Sequence, residues 1–145
     1  MRLFIIIFIL LTNLNADNYS IILKINSFVN NTIKYKSDEQ NYGLKDYWAK
    51  PNEVLKKKSG DCEDIAILKY SLLVKNGIKK ENIKIYFTIV KNQGHVFLEV
   101  IDSNRIYYLD NISNNIMINI HERKLDIFVQ SNKFSKLFEI ATKDI

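Results

Sequence analysis

Cysteine, proline and tryptophan each occur once in these 145 residues, histidine twice and glycine four times. A single cysteine, Cys62, excludes an intramolecular disulfide, so the thiol is either a small buried hydrophobe or a group with work to do. One cysteine and two distant histidines do not make a zinc site. The scarcity of glycine and proline, with no repeat or low-complexity tract, excludes flexible linkers and solenoids and leaves one compact unit. The net charge of +5 is mild, and its lysines are scattered among Asn and Ile. No basic stripe interleaved with aromatics is present, which argues against nucleic acid as a partner. The one long apolar run, Leu3 to Leu11, is far below the roughly 20 residues that span a bilayer.

That run has another reading. Met1-Arg2 supplies a positive start, the apolar stretch follows, and Leu14-Asn15-Ala16 ends in a small residue, which is the pattern of an export signal. Residues 1–16 are expected to be a signal peptide cleaved after Ala16. Residues 17–145 then form one domain, located in the bacterial periplasm. A hydrophobic share of 47% with 12% aromatics suffices for one packed core.

Apolar residues at Ile21, Leu23, Ile25, Phe28, Val29 and Ile33 predict a helix over Asn18 to Lys34. Tyr35 to Pro51 reads as an ordered loop, followed by a short helix from Glu53 to Lys57 capped by Asn52. The clearest helix runs from Asp61 to about Lys75, with Ile65, Leu68 and Leu72 on one face and Gly77 as its stop. Strands are expected at Ile83 to Val90, Val96 to Ile101 and Ile106 to Leu109, with further candidates at Ile116 to Ile120 and Ile127 to Gln130. Helices first and an antiparallel sheet afterwards make an α+β domain.

Cys62 falls at the start of the clearest helix, in Gly60-Asp61-Cys62-Glu63-Asp64. A thiolate attacks where a thiol barely does, and a helix N-terminus supplies about half a positive charge to favour it. Asp61 is the expected N-cap, the first-turn N–H groups can hold an oxyanion, and Gly60 leaves room for a substrate backbone. His95 is the natural base. A tight turn at Ser103-Asn104 would set residue 101 opposite 106, which puts His95 and Asp110 on one face as diagonal neighbours. Asp110 can then orient the imidazole. His121, between Glu122 and Arg123, reads as a solvated residue.

With these residues in view, the sequence resembles the bacterial transglutaminase-like cysteine proteinases, the LapG-type periplasmic proteases that cut large biofilm adhesins. Asp46-Tyr47-Trp48-Ala49-Lys50-Pro51, then Gly60-Asp61-Cys62-Glu63-Asp64 with Ala66 and Lys69-Tyr70, look like that family's signature. His95-Val96 and Leu109-Asp110-Asn111 fall where its His and Asp blocks stand. The resemblance implies a papain- or transglutaminase-like core with Cys62, His95 and Asp110 as the triad. It implies calcium as well, with Asp61, Glu63 and Asp64 as acidic ligands. Carboxylates crowded around a thiol would raise its pKa unless a cation offset them. Trp48 is expected to line the cleft or aid the oxyanion site. An adhesin-type substrate and an inner-membrane receptor of the LapD type are the implied partners. Two other functions fit the same residues: acyl transfer to an amine, and a catalytically idle module that binds calcium or a partner.

Overall fold

The computed structural model describes residues 17–116, the backbone of 126–128, and residues 138–139 and 142–143. The expected leader, His121 and all of the Ile116 to Ile120 segment after Ile116 lie outside the described residues, as do residues 129 and 130 of the last expected strand.

The chain opens with helix α1, Asn18–Thr32, whose Ile22, Ile25 and Val29 repeat at helical spacing and are buried. Asn26 lies on the same buried stripe. Ile33 leaves the helical conformation, and strand β1, Lys34–Tyr35, pairs in parallel with strand β2, Ser59–Gly60. The helix therefore ends two residues before the expected Lys34, because the backbone there is committed to this pairing.

Between β1 and β2 the chain is more ordered than the polar composition suggests. Helix α2, Asp38–Tyr42, starts at Ser37, whose Oγ accepts from the Gln40 N–H, and stops at Gly43 with φ of 70°. Helix α3, Pro51–Lys57, has Lys50 as its N-cap rather than Asn52. Pro51 accounts for the difference: its fixed φ and missing N–H suit the first helical position. The Glu53 carboxylate then accepts from the Lys50 N–H at 2.8 Å.

Helix α4, Cys62–Lys75, is the spine of the molecule. Asp61 caps it as expected, its Oδ1 accepting from the Asp64 N–H. Ile65, Ala66, Ile67, Leu68 and Leu73 are all buried, so the helix is covered on most sides. Asn76 is its C-cap, with Gly77 at φ of 92° turning the chain away.

A four-stranded antiparallel sheet follows, in the order β5-β4-β3-β6. Its strands are β3 Ile83–Val90, β4 Gln93–Asp102, β5 Arg105–Leu109 and β6 Asp126–Phe128. Lys91 and Asn92, both at positive φ, make the two-residue turn between β3 and β4. Ile101 faces Ile106, the register expected from the sequence. β4 is longer than expected, so His95 lies within the ladder opposite Thr88 instead of at the strand's mouth.

One face of the sheet, through Ile85, Val96, Leu98, Val100 and Leu109, closes the core with α1 and α4. Burying each such side chain is worth about 1.5–3 kcal/mol. On the alternate positions Tyr86 stacks on Phe97, and Phe97 meets Tyr108 edge-on. The result is the expected α+β fold with Cys62 at a helix N-terminus against an antiparallel sheet.

Candidate active site

Cys62 begins α4 where the helix meets β4, and it is 9% exposed. Its sulfur receives the Val96 backbone N–H, which favours the thiolate, but this is outweighed. Burial, then the charges of Glu63 and Asp61, push the thiol well above its usual range. The thiol donates to Glu63 Oε2 at 3.1 Å. Without a compensating cation, Cys62 is therefore held protonated.

His95 and Asp110 are each 8% exposed. Asp110 follows the end of β5, and its Oδ1 accepts the N–H groups of Ile112 and Ser113, each at 2.9 Å. This turn consumes one carboxylate oxygen and points the other at the histidine: Asp110 Oδ2 lies 4.0 Å from His95 Nε2. Cys62 and His95 line one cleft of about 600 Å³ with Tyr35, Trp48, Phe87 and Ile89. A second hollow of about 350 Å³ shares Tyr35, Cys62 and His95 and continues past Asn111 and Ile112. The thiol thus sits between two recesses, as an extended chain lying across it requires.

Trp48 stacks on Phe87 with ring centroids 6.1 Å apart and donates its indole N–H to Asp46 Oδ1 at 3.1 Å. That bond makes it a wall of the cleft more than an oxyanion donor. The N–H groups that begin α4 remain the better anion site.

The acidic side of the site differs from the sequence expectation. Asp61, Glu63 and Asp64 do not converge as one set. Asp38 joins two clusters instead, one with Asp61 and Asp64, all three buried, and one with Asp46 and Glu63. In each cluster the carboxylate oxygens lie within 4.8 Å of one another. Asp38, at the start of α2, is the residue common to both clusters, while Asp61 and Glu63 keep a side-chain contact of their own. Asp38 and Asp46 were missed because they lie far upstream; the only signal was Asp46 within the aromatic block quoted above.

Burial and the neighbouring carboxylates push Asp61 up to about 9. Burial likewise raises Asp64 to about 7, against the Ala49 N–H that its Oδ1 accepts at 2.8 Å. Asp38 is raised for the same reason. Asp38 Oδ1 and Asp64 Oδ2 are buried without a hydrogen-bond partner. Buried carboxylate oxygens with no donor and mutual repulsion are what a hard divalent cation satisfies, so these residues fit calcium.

Gly60 also departs from expectation. A Cβ there would lie 2.7 Å from Asp64 Cβ and 2.9 Å from Asp64 Oδ2. The space this glycine leaves is filled by Asp64, not held open for substrate.

Comparison with known proteins agrees with this architecture. Residues 10–135 match the family model of the bacterial transglutaminase-like cysteine proteinases. The chain belongs to that family and is a cysteine peptidase by class. Among solved structures, calcium-bound LapG of Legionella pneumophila is 25% identical with a TM-score of 0.68, covering 86% of this chain and 80% of that one. Legionella pneumophila LapG described without either treatment is 26% identical, with a TM-score of 0.67, over 86% and 79% of the two chains. The EGTA-treated form has a TM-score of 0.70 at 24% identity, over 88% and 79%. No curated protein matches.

Proposed function

We propose that this chain is a calcium-dependent endopeptidase of the periplasm that cleaves an exported or surface-retained adhesin and so controls biofilm attachment. The observation that carries the catalytic part is the convergence at one cleft of Cys62 on a helix N-terminus and His95, with Asp110 Oδ2 at 4.0 Å from the imidazole. In this reading Asp110 orients His95 and stabilises its charged form. His95 takes the Cys62 proton, and the thiolate adds to a backbone carbonyl whose oxygen is met by N–H groups at the start of α4. The protonated imidazole then gives its proton to the departing amine, and water admitted through the cleft releases the acyl group. Trp48, Phe87 and Ile89 line the recess on one side of the thiol.

Asp38, Asp61 and Asp64 would hold calcium, with Asp46 and Glu63 beside them. When bound, the ion offsets the negative charge that keeps the thiol protonated. The calcium-bound LapG structure supports this part of the reading. An adhesin substrate, a periplasmic location and capture by an inner-membrane LapD-type receptor belong to the same proposal, with the family resemblance and the export-type N-terminus as their support.

The test is incubation of the purified protein with exported adhesins, in calcium and in chelator, with products identified by mass. Calcium-dependent scission at a defined peptide bond is expected, with no cross-linked or amine-adducted product. Cleavage that survives in Cys62→Ala, or amine incorporation in place of hydrolysis, would overturn it.

A further inference from the structure

Behind the catalytic carboxylate lies a lysine for which the cleavage chemistry has no use. Lys69, on α4, is 0% exposed. Its Nζ donates to the backbone carbonyl of Asp110 at 2.6 Å and to Asn26 Oδ1 at 2.7 Å. Asn26 returns an N–H to the Ser113 carbonyl at 3.3 Å. One turn further along α1, Asn30 Nδ2 donates to the carbonyls of Asp110 and Ser113 at 2.9 and 3.0 Å.

All of these bonds except the one from Lys69 to Asn26 end on the Asp110–Ser113 turn, whose own N–H groups hold Asp110 Oδ1. Two helices thus reach the two carbonyls that bracket the turn. A buried ammonium is expensive, and an apolar side chain of similar length would pack at this position with less desolvation. Burial lowers the Lys69 pKa to about 7, partly opposed by the nearby Asp110 charge. Stability alone does not explain a lysine here. What the lysine does hold is the backbone on which the Asp110 carboxylate is mounted.

We propose that Lys69, with Asn26 and Asn30, is a positioning residue that fixes Asp110 Oδ2 towards His95, so that helices α1 and α4 set the aim of the carboxylate that orients the base. The proposal rests on the Cys62–His95–Asp110 reading above. If the turn relaxes, Oδ2 drifts from an imidazole it meets at only 4.0 Å, and the charged ring that accompanies the thiolate loses its support.

The test is a double-mutant cycle on the full chain in calcium buffer, using iodoacetamide at pH 7 as the probe. Cys62 is the only cysteine, so alkylation reports on it alone. With two histidines in the chain, the His95 imidazole can be followed through its proton resonance. Lys69→Met and Asp110→Ala should each slow alkylation about 10- to 100-fold and lower the His95 pKa. In the Asp110→Ala background, Lys69→Met should cost less than about twofold more, because it acts through Asp110.

A Lys69→Met protein with a lowered melting temperature but wild-type alkylation and His95 titration would reduce Lys69 to a fold element and overturn the inference. Independent, multiplying effects in the cycle would do the same. If Lys69→Met does not fold, Asn30→Ala is read in the same cycle, and its silence in both measurements overturns the proposal. An Asp110→Ala protein unchanged in both measurements would instead sink the triad reading itself.

Discussion

Two buried polar networks flank Cys62, and they are built on opposite principles. On the Asp110 side, Lys69, Asn26 and Asn30 supply donors to the acceptors they face, with Asn30 Oδ1 left as an unmet acceptor. On the α4 N-terminal side, Asp38, Asp61 and Asp64 bring acceptor to acceptor, with Asp38 Oδ1 and Asp64 Oδ2 buried and unmet. Donors matched to backbone carbonyls make a fixed scaffold. Carboxylates set against one another are instead a place where a bound cation would find its ligands.

The sharpest break is at the thiol they share. Cys62→Ala should remove cleavage by at least about a thousandfold while leaving the melting temperature within a few degrees. Chelator should still lower that melting temperature in the variant, since the acidic network is intact. Activity and thermal unfolding measured on one preparation separate the two effects.

Gly60→Ala should strike the acidic side alone. Its new Cβ would lie 2.7 Å from Asp64 Cβ, and overpacking of this kind costs about 1–3 kcal/mol. The expected result is a lower melting temperature together with weaker calcium affinity, read by denaturation and calorimetry. Unaltered calcium binding would show that Asp64 is not placed by this contact.

The pH dependence of stability sharpens the contrast further. Asp61 and Asp64 are raised to about 9 and about 7 in the cation-free fold. The folded state therefore holds protons that the unfolded chain releases near pH 4. This contribution favours folding below about pH 4 and is lost as pH rises through about 7 for Asp64 and about 9 for Asp61. In chelator, stability attributable to these groups should fall between pH 5 and pH 8. Calcium at a fixed concentration, about a hundred times its dissociation constant at pH 8, should restore about 3 kcal/mol there and less at pH 5. Parallel melting curves at both pH values, with and without calcium, would remove the acidic network from the account.

The smallest expected effect carries the clearest sign. Asp38→Asn keeps an oxygen to accept the Tyr47 N–H but removes one charge from the cluster. It should raise stability by up to about 1 kcal/mol in chelator and lower it by a similar amount in calcium. The crossing of the two differences is the signature of a site that repels itself when empty. Equal shifts of one sign would contradict it.

Much of this was legible beforehand. Helix α4, its Asp61 cap and the β4–β5 register came out as expected, because each follows from neighbours within a few residues: an apolar stripe, a side chain reaching its own first turn, a two-residue turn. The shared face of His95 and Asp110 was readable for the same reason. Asp38 and Lys69 were not. Asp38 fell within the expected Tyr35 to Pro51 loop, where Ser37 caps a helix, and Lys69 stood only as part of the family signature, with no partner legible for it.

What the amino-acid sequence determined by itself was a set of candidate reacting groups and the elements that carry them, since helical period, strand alternation and capping are local properties of the chain. Only the tertiary structure decided which charges are buried together. Asp38 acquires its neighbours when β1 pairs with β2 and draws α2 towards the start of α4, and Lys69 meets Asp110 only when α1 and α4 close over the sheet. Coulombic repulsion and hydrogen-bond donation act across space without regard to chain separation, so their outcome exists only once the fold has set the distances.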